Sequence, residues 1–326
     1  MKNQIVYPGH ADSIACELVI MAWIMSAYHC PDVNMDKSLK AKVKLIVELV
    51  NESDISSIKK VITEILKIIL DDSSSARDLK FIIELDPPLC ARLLKRANSS
   101  YYGYPRTISD IQEAIVCIGF DAVKELALTQ KVCELFAKED NINGYSRLSL
   151  WKHSLAVAIS SKMIYRREFR ERGENLYIAG LLHDIGIIVE DQFFQRQFKK
   201  VLGKMNEEKI NMYAAEEELL IIDHARIGQA IAEDWNFPEE LSMAIGFHHR
   251  PDEVGKEFER IVATVFVADY ICQREDIGFA DMPFRNASLF HECLGRLGVK
   301  EEAVDIIAQE LKEEIIKMEK LGWFYQ

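Results

Sequence analysis

Five of the chain's eight histidines fall in one half of the sequence, at His153, His183, His224, His248 and His249. Asp184 directly follows His183, and Asp269 lies twenty residues after His249. Imidazole and carboxylate are the ligand types that suit Zn, Fe, Mn or Ni, and no cysteine joins them. A single such histidine reads as a packed or surface residue, and His248-His249 alone carries little. His183-Asp184 carries more, because Leu181, Leu182 and Ile185 flank it with apolar side chains. Two polar groups buried there without partners would cost about 2 kcal/mol or more each. A metal ion or a mutual hydrogen-bond network would remove that cost. On one continuous helix, neighbouring residues point about 100° apart. His183 and Asp184 could then reach two sides of one site, with the carboxylate bridging two cations.

The elements that must position these groups read as helices almost throughout. Ile55, Ile58, Val61, Ile62, Ile65, Leu66 and Ile69 form one apolar stripe at helical spacing, with Ser53 or Asp54 as its cap. Asp86-Pro87-Pro88 opens a second helix, with proline where a missing N–H costs nothing. Ile111–Ile118 and Asp121–Phe136 form a pair hinged at Gly119. Lys138–Arg147 is the most polar stretch and marks a lobe boundary. Further helices are expected over 148–170, 175–189, 191–205, 208–220, 223–235, 238–248, 258–272 and 300–320. No strand and no repeat stands out. The expected architecture is all-α: an N-terminal helical extension (1–50), a helical lobe (51–147), the lobe with the histidines (148–275) packed against it, and a C-terminal helical segment (276–326).

Composition narrows the function. The chain has 326 residues, 49% hydrophobic and 28% charged, which is a globular balance. Its net charge of -12 opposes a polyanion, so general nucleic-acid binding is not expected. The seven cysteines are odd in number and form no CxxC, so they read as reduced thiols of a cytoplasmic protein. The apolar run Leu18–Ala27 is shorter than the roughly 20 residues a membrane span requires. It lacks the basic flank of a signal peptide, and reads as a packed helix or an interfacial arm.

The motifs carry a resemblance. Trp151-Lys152-His153-Ser154, Ala179-Gly180-Leu181-Leu182-His183-Asp184-Ile185-Gly186, Asp223-His224-Ala225, His248-His249 and Ala268-Asp269 follow one another as in the HD superfamily of metal-dependent phosphohydrolases. Upstream, Glu84-Leu85-Asp86-Pro87-Pro88-Leu89, Arg92 through Ser99, Tyr102-Gly103 and Ala114 through Gly119 resemble the first half of the HDOD family, the HD-related output domain of bacterial signalling proteins. The likeness runs from about Ile55 to about Cys272. It implies that His153, His183, Asp184 and Asp269 hold one divalent transition metal ion. It also implies that His224, His248 and His249 hold a second, with Asp184 bridging. The element (Fe, Mn, Zn or Ni) stays open. Ile187 stands where the HD-GYP phosphodiesterases have a phosphate-holding lysine, and Arg250-Pro251-Asp252 follows His249 with no Gly-Tyr-Pro.

Two functions follow from the resemblance. One is a signal-transduction module with a retained metal site, acting through an unidentified signalling protein or nucleotide ligand, alone or as a homo-oligomer. The other is a phosphohydrolase or phosphodiesterase acting on a nucleotide. In it the cations would activate water and clamp phosphoryl oxygens, and Asp184 would be catalytic. The absent lysine and Gly-Tyr-Pro favour the module. Lys162, Arg166, Arg167, Arg170 and Arg172 read as a solvated face, since Glu168, Glu171 and Glu174 interleave with them. Trp151, Trp235, Tyr101, Tyr102 and Tyr104 read as packing residues. Asn98 and Ser99 either cap their helix or face the partner lobe.

Overall fold

The computed structural model describes residues 35–137, 141–279, 287–320 and 324. The Leu18–Ala27 run, Cys16 and Cys30 lie outside them. The described chain is helical almost throughout. Helices α1 (Met35–Asn51), α2 (Ile55–Leu70), α3 (Ala76–Glu84), α4 (Pro87–Ala97), α5 (Ile111–Ile118) and α6 (Phe120–Cys133) precede the histidine-bearing segment. That segment comprises α7 (Arg147–Ile164), α8 (Glu174–Leu182), α9 (Ile185–Phe193), α10 (Gln195–Glu208), α11 (Met212–Leu219), α12 (His224–Asp234), α13 (Glu239–Phe247) and α14 (Lys256–Arg274). Helices α15 (Ala287–Leu297) and α16 (Glu301–Lys320) follow. Among the described residues no helix is long and apolar enough to cross a membrane.

The apolar stripe of α2 is buried as its spacing requires, from Ile55 to Ile69, and packs along α6. Its start is tied by the Ser53 hydroxyl, which accepts from Ile55 N–H at 3.2 Å, and not by Asp54, whose side chain makes no cap. Asp86 caps α4 by accepting from Leu89 N–H at 3.0 Å, with proline in the first turn. Asn98 resolves its two readings in favour of the loop that follows it. Its amide donates to the carbonyls of Leu94 and Ile108, both at 2.9 Å, and accepts from Ile108 N–H at 2.7 Å. The aromatic loop is thereby clamped to the end of α4.

The polar stretch holds something the helical reading passed over. Asn141–Ile142 and Tyr145–Ser146 pair as a two-residue antiparallel hairpin around Asn143-Gly144, both at positive φ. Asn-Gly is the dipeptide that such tight turns favour. Beyond the hairpin, Ser146 caps α7 by accepting from Ser149 N–H at 3.0 Å. A π-helical turn over Tyr165–Phe169 ends that helical run.

Helix α7 runs through the middle of the molecule and packs on α8, α14 and α16. The earlier helices lie directly against this body. Thr129 on α6 and Tyr177 on α8 share a hydroxyl hydrogen bond of 2.7 Å, Glu125 pairs with Lys162, and Tyr101 donates to Glu314 at 2.8 Å. Trp151 and Trp235 are buried in the core, as expected of packing residues, whereas Tyr104, read the same way, is exposed on the loop. Of the basic run, Lys162 and Arg167 pair with Glu125 and Glu310, and Glu171 with Arg260, which leaves a charge-balanced face.

Candidate metal centre

Five segments bring the site together. His153 projects from α7, Asp269 from α14, and His224 is the first residue of α12. His248 and His249 follow the last turn of α13. His183 and Asp184 were expected within one helix over 175–189. They occupy instead the break between α8 and α9, where Asp184 leaves helical geometry at φ -98° and ψ 16°. At that break the two side chains converge, with His183 Nε2 3.1 Å from Asp184 Oδ2.

Glycine sets the close approaches. A β-carbon on Gly180 would lie 2.8 Å from the backbone of Ala158, so α7 and α8 cross there in contact. A β-carbon on Gly186 would lie 1.9 Å from the carbonyl oxygen of His224, so α9 meets the start of α12 with no side chain between.

All seven residues singled out in the sequence converge. Asp184 is the hub: Oδ2 lies 3.1 Å from His183 Nε2 and 3.8 Å from His153 Nε2. Its other oxygen, Oδ1, lies 3.5 Å from His224 Nε2 and 3.6 Å from His248 Nε2. His249 Nε2 is 3.0 Å from His224 Nε2, and His153 Nε2 is 3.0 Å from Asp269 Oδ1. Every member except half-buried His249 is buried.

The outer ring nitrogens decide what the inner ones can do. His183 Nδ1 lies 2.8 Å from Gly180 O, and His248 Nδ1 lies 2.7 Å from Ile245 O. A carbonyl only accepts, so each Nδ1 carries the proton. The buried Nε2 atoms of His183 and His248 make no hydrogen bond, although Asp184 faces both. Lone pairs facing a carboxylate at these distances repel unless positive charge stands among them. That charge is a proton on an imidazole or a metal cation, and ligating histidines characteristically tie their outer N–H in this way.

Proton affinities follow the same balance. Burial depresses His183 and His224, but carboxylates outweigh it. Asp184 and Asp269 raise His183, and Glu216 with Asp184 lifts His224 to about 10. His248 and His249 are held low by burial, and the neighbouring imidazoles push the same way. Burial opposes ionisation of Asp184 and Asp269, yet His183 acting on the first and His153 on the second keep both below the usual carboxylate range.

The donor set suits divalent cations. Asp184, His224, His248 and His249 each offer one ligand atom, all within 4.8 Å of one another, and so do His153, His183 and Asp184. Asp184 belongs to both groups. Asp269 stands beside His153 and accepts from Gln273 Nε2 at 2.9 and 3.0 Å. The cavity at the centre measures about 10 Å³, with Ile187, Met212 and Phe279 forming its apolar wall.

Three polar residues behind the ligands escaped the sequence reading. Gln273 is one helical turn from Asp269. Glu216 on α11 accepts from His224 Nδ1 at 2.7 Å. Glu190 on α9 is buried beside Glu216, and burial followed by the Glu216 charge raises its carboxyl well above the usual range. The structure, not the spacing, singles it out: of three consecutive glutamates only Glu216 shares the buried face of α11 with Met212 and Ala215.

Comparison with known proteins places this geometry. The sequence model of the HDOD domain matches residues 55–251, more than half of the chain. An uncharacterized protein of Treponema pallidum (strain Nichols) is 25% identical over 225 residues, covering 66% of this chain and 42% of that protein. The chain thus spans less than half the length of that curated relative. Among solved structures, an HDOD domain protein of unknown function from Geobacter sulfurreducens superposes with a TM-score of 0.72 and 27% identity, over 88% of this chain and 99% of that one. A candidate phosphohydrolase from Shewanella amazonensis SB2B gives 0.62 and 21%, over 86% and 96%. The latter likeness is one of fold.

Proposed function

This chain belongs to the HDOD family, and from that premise we propose that it is a bacterial signal-transduction module that retains an HD-type metal centre. In this reading His153, His183, Asp184 and Asp269 hold one divalent transition metal ion. Asp184, His224, His248 and His249 hold a second. The module acts in the cytoplasm by binding a signalling protein or a nucleotide.

The size of the central cavity carries the regulatory reading. About 10 Å³ is room on the scale of a single water, not of a phosphoryl group with its sugar and base. Ile187, buried in the wall, can donate nothing to a phosphate oxygen. Bound divalent cations supply positive charge and Lewis acidity. This chain's own residues then keep the donors aligned, and Ile187 in the wall adds no donor for a phosphate.

The second reading, a metal-dependent phosphohydrolase acting on a nucleotide, draws on the convergence of all seven ligand-type residues on Asp184. One experiment separates the two. Protein reconstituted with Fe, Mn, Zn or Ni is assayed against linear and cyclic nucleotides, with metal content measured on the same samples. The module holds its cations and releases no product. Turnover that scales with bound metal would favour the enzyme.

A further inference from the structure

Glu216 is wholly buried. Among the described residues it makes no ion pair with lysine or arginine, and its one charged partner across an ion-pair contact is His224. A buried carboxylate is expensive to keep unless something holds it in place for a purpose. Its Oε2 receives two hydrogen bonds from one residue: the backbone N–H of His224 at 3.0 Å and the ring Nδ1 at 2.7 Å. Together they fix main chain and imidazole at once. Asp223 caps α12 by accepting from Arg226 N–H at 2.8 Å, and Glu216 takes the separate His224 N–H of the same first turn, so only its contact with the ring Nδ1 lies beyond helix capping.

Across the ring, Nε2 faces Asp184 Oδ1 at 3.5 Å and His249 Nε2 at 3.0 Å. His183 and His248 direct their outer N–H to main-chain carbonyls, whereas His224 directs its own to a carboxylate. A carboxylate behind an imidazole raises the ring's basicity as well as fixing which nitrogen bears the proton. Glu190 closes the space behind Glu216, and its carboxyl, raised by burial and by Glu216, is set to donate to that glutamate. The two contacts observed at Oε2 both come from His224.

We propose that Glu216 is a positioning residue that selects the Nδ1-protonated form of His224 and aims its Nε2 at the second of the two cations. The inference rests on the metal reading above for its consequence, but not for the ring orientation itself.

Two variants and two readouts test it. Glu216→Met keeps the side-chain length and removes the acceptor, while Glu216→Gln keeps an acceptor and removes the charge. Long-range nitrogen–proton NMR on metal-free protein, followed in a pH titration through about 10, reports which nitrogen of His224 keeps its proton once the ring is neutral. Titration with Mn or Zn, followed by elemental analysis, reports each binding step. In Glu216→Met, His224 loses its Nδ1–H preference and the second cation binds about 10- to 100-fold more weakly, while the first binds as in wild type. Glu216→Gln retains the tautomer and weakens the second step by less than Glu216→Met does. A folded Glu216→Met with unchanged tautomer and unchanged second-step affinity overturns the proposal. If Glu216→Met does not fold, Glu216→Gln with an unchanged second step overturns it. If wild type binds no cation, the metal reading fails, and the tautomer comparison still decides whether Glu216 positions His224.

Discussion

Gly186 and His224 meet backbone to backbone: a β-carbon on Gly186 would stand 1.9 Å from the His224 carbonyl oxygen. The distance between α9 and α12 is therefore set by the absence of a side chain, and the same contact sets how far His224 lies from Asp184. Gly186→Ala must push the two elements apart. We expect it to cost about 1–3 kcal/mol of stability, the usual range for overpacking. It should also weaken cation binding at His224 more than at His153. Thermal unfolding and metal titration check this, and an unshifted melt with full metal content would contradict it.

Asp184 lies within 3.1 to 3.8 Å of four imidazoles. Asp184→Asn keeps the shape and removes the charge that offsets burial. Both cations should be lost, because this one carboxylate belongs to both donor groups. Stability should fall by about 3 kcal/mol, the scale for breaking a buried charge pair. Elemental analysis of the purified variant decides the first point and denaturant unfolding the second. Wild-type metal content would place the cations elsewhere.

Metal-free stability should decline from pH 6.5 upward. His183 and His224 have folded-state pKa values above their unfolded ones, His224 at about 10. Their contribution is fully present below about 6.5 and is lost as pH rises through the folded values. Glu190, also raised, acts in the same direction. His248 and His249 are lowered, so their contribution is complete above 6.5 and is lost only as pH falls through the folded values. Asp184 and Asp269 likewise matter only on the acid side. Cation binding must displace the His224 proton, so affinity at that site should rise about tenfold per pH unit between roughly 7 and 9. Melts of metal-free protein across pH, paired with metal titrations, test both slopes.

Asn98 makes three hydrogen bonds, one to Leu94 O in α4 and two with Ile108, which fasten the Tyr101–Ile108 loop to the end of α4. Asn98→Ala leaves the Ile108 N–H and C=O without these partners. We expect a loss of about 1–3 kcal/mol with the metal centre untouched, since no ligand comes from that loop. Denaturant unfolding with metal content measured in parallel tests it; metal loss would tie the loop to the site.

The residues that converge on Asp184 were legible because their types and order carry the resemblance: His153, His183, Asp184, His224, His248, His249 and Asp269 follow one another at its motif positions. The all-α class followed from helical spacing such as that of Ile55 to Ile69. What the sequence did not disclose depends on three-dimensional closure. The His183-Asp184 break lies in an apolar run with no proline. Gly186 after it reads as a weak helix residue until the His224 carbonyl is seen opposite. Glu216 was hidden among Glu217 and Glu218, which look the same in one dimension, and only its place on the buried face of α11 separates it from them. The Asn143-Gly144 hairpin was readable from its dipeptide, but two-residue strands are too short to show alternation.

Ile187 gives the last prediction. Its side chain is buried in the wall of the cavity beside Asp184. In wild type, any phosphoryl group would be stabilised by the cations alone. A missing positioned donor typically costs about 3 kcal/mol, or roughly two decades of rate. With that donor missing and a narrow space between the ligand-type side chains, we expect no measurable turnover from metal-loaded wild type on a nucleotide panel. Ile187→Lys buries an ammonium, which should lower the melting temperature in chloride and depress the lysine's own pKa. An anion reaching the cavity would pair with that ammonium, so the loss should be smaller in phosphate than in chloride at equal ionic strength. Equal losses in both buffers would mean that phosphate cannot reach the cavity even when a cation invites it. Robust turnover by wild type would instead show that the wall opens, and would move the assignment from module to enzyme.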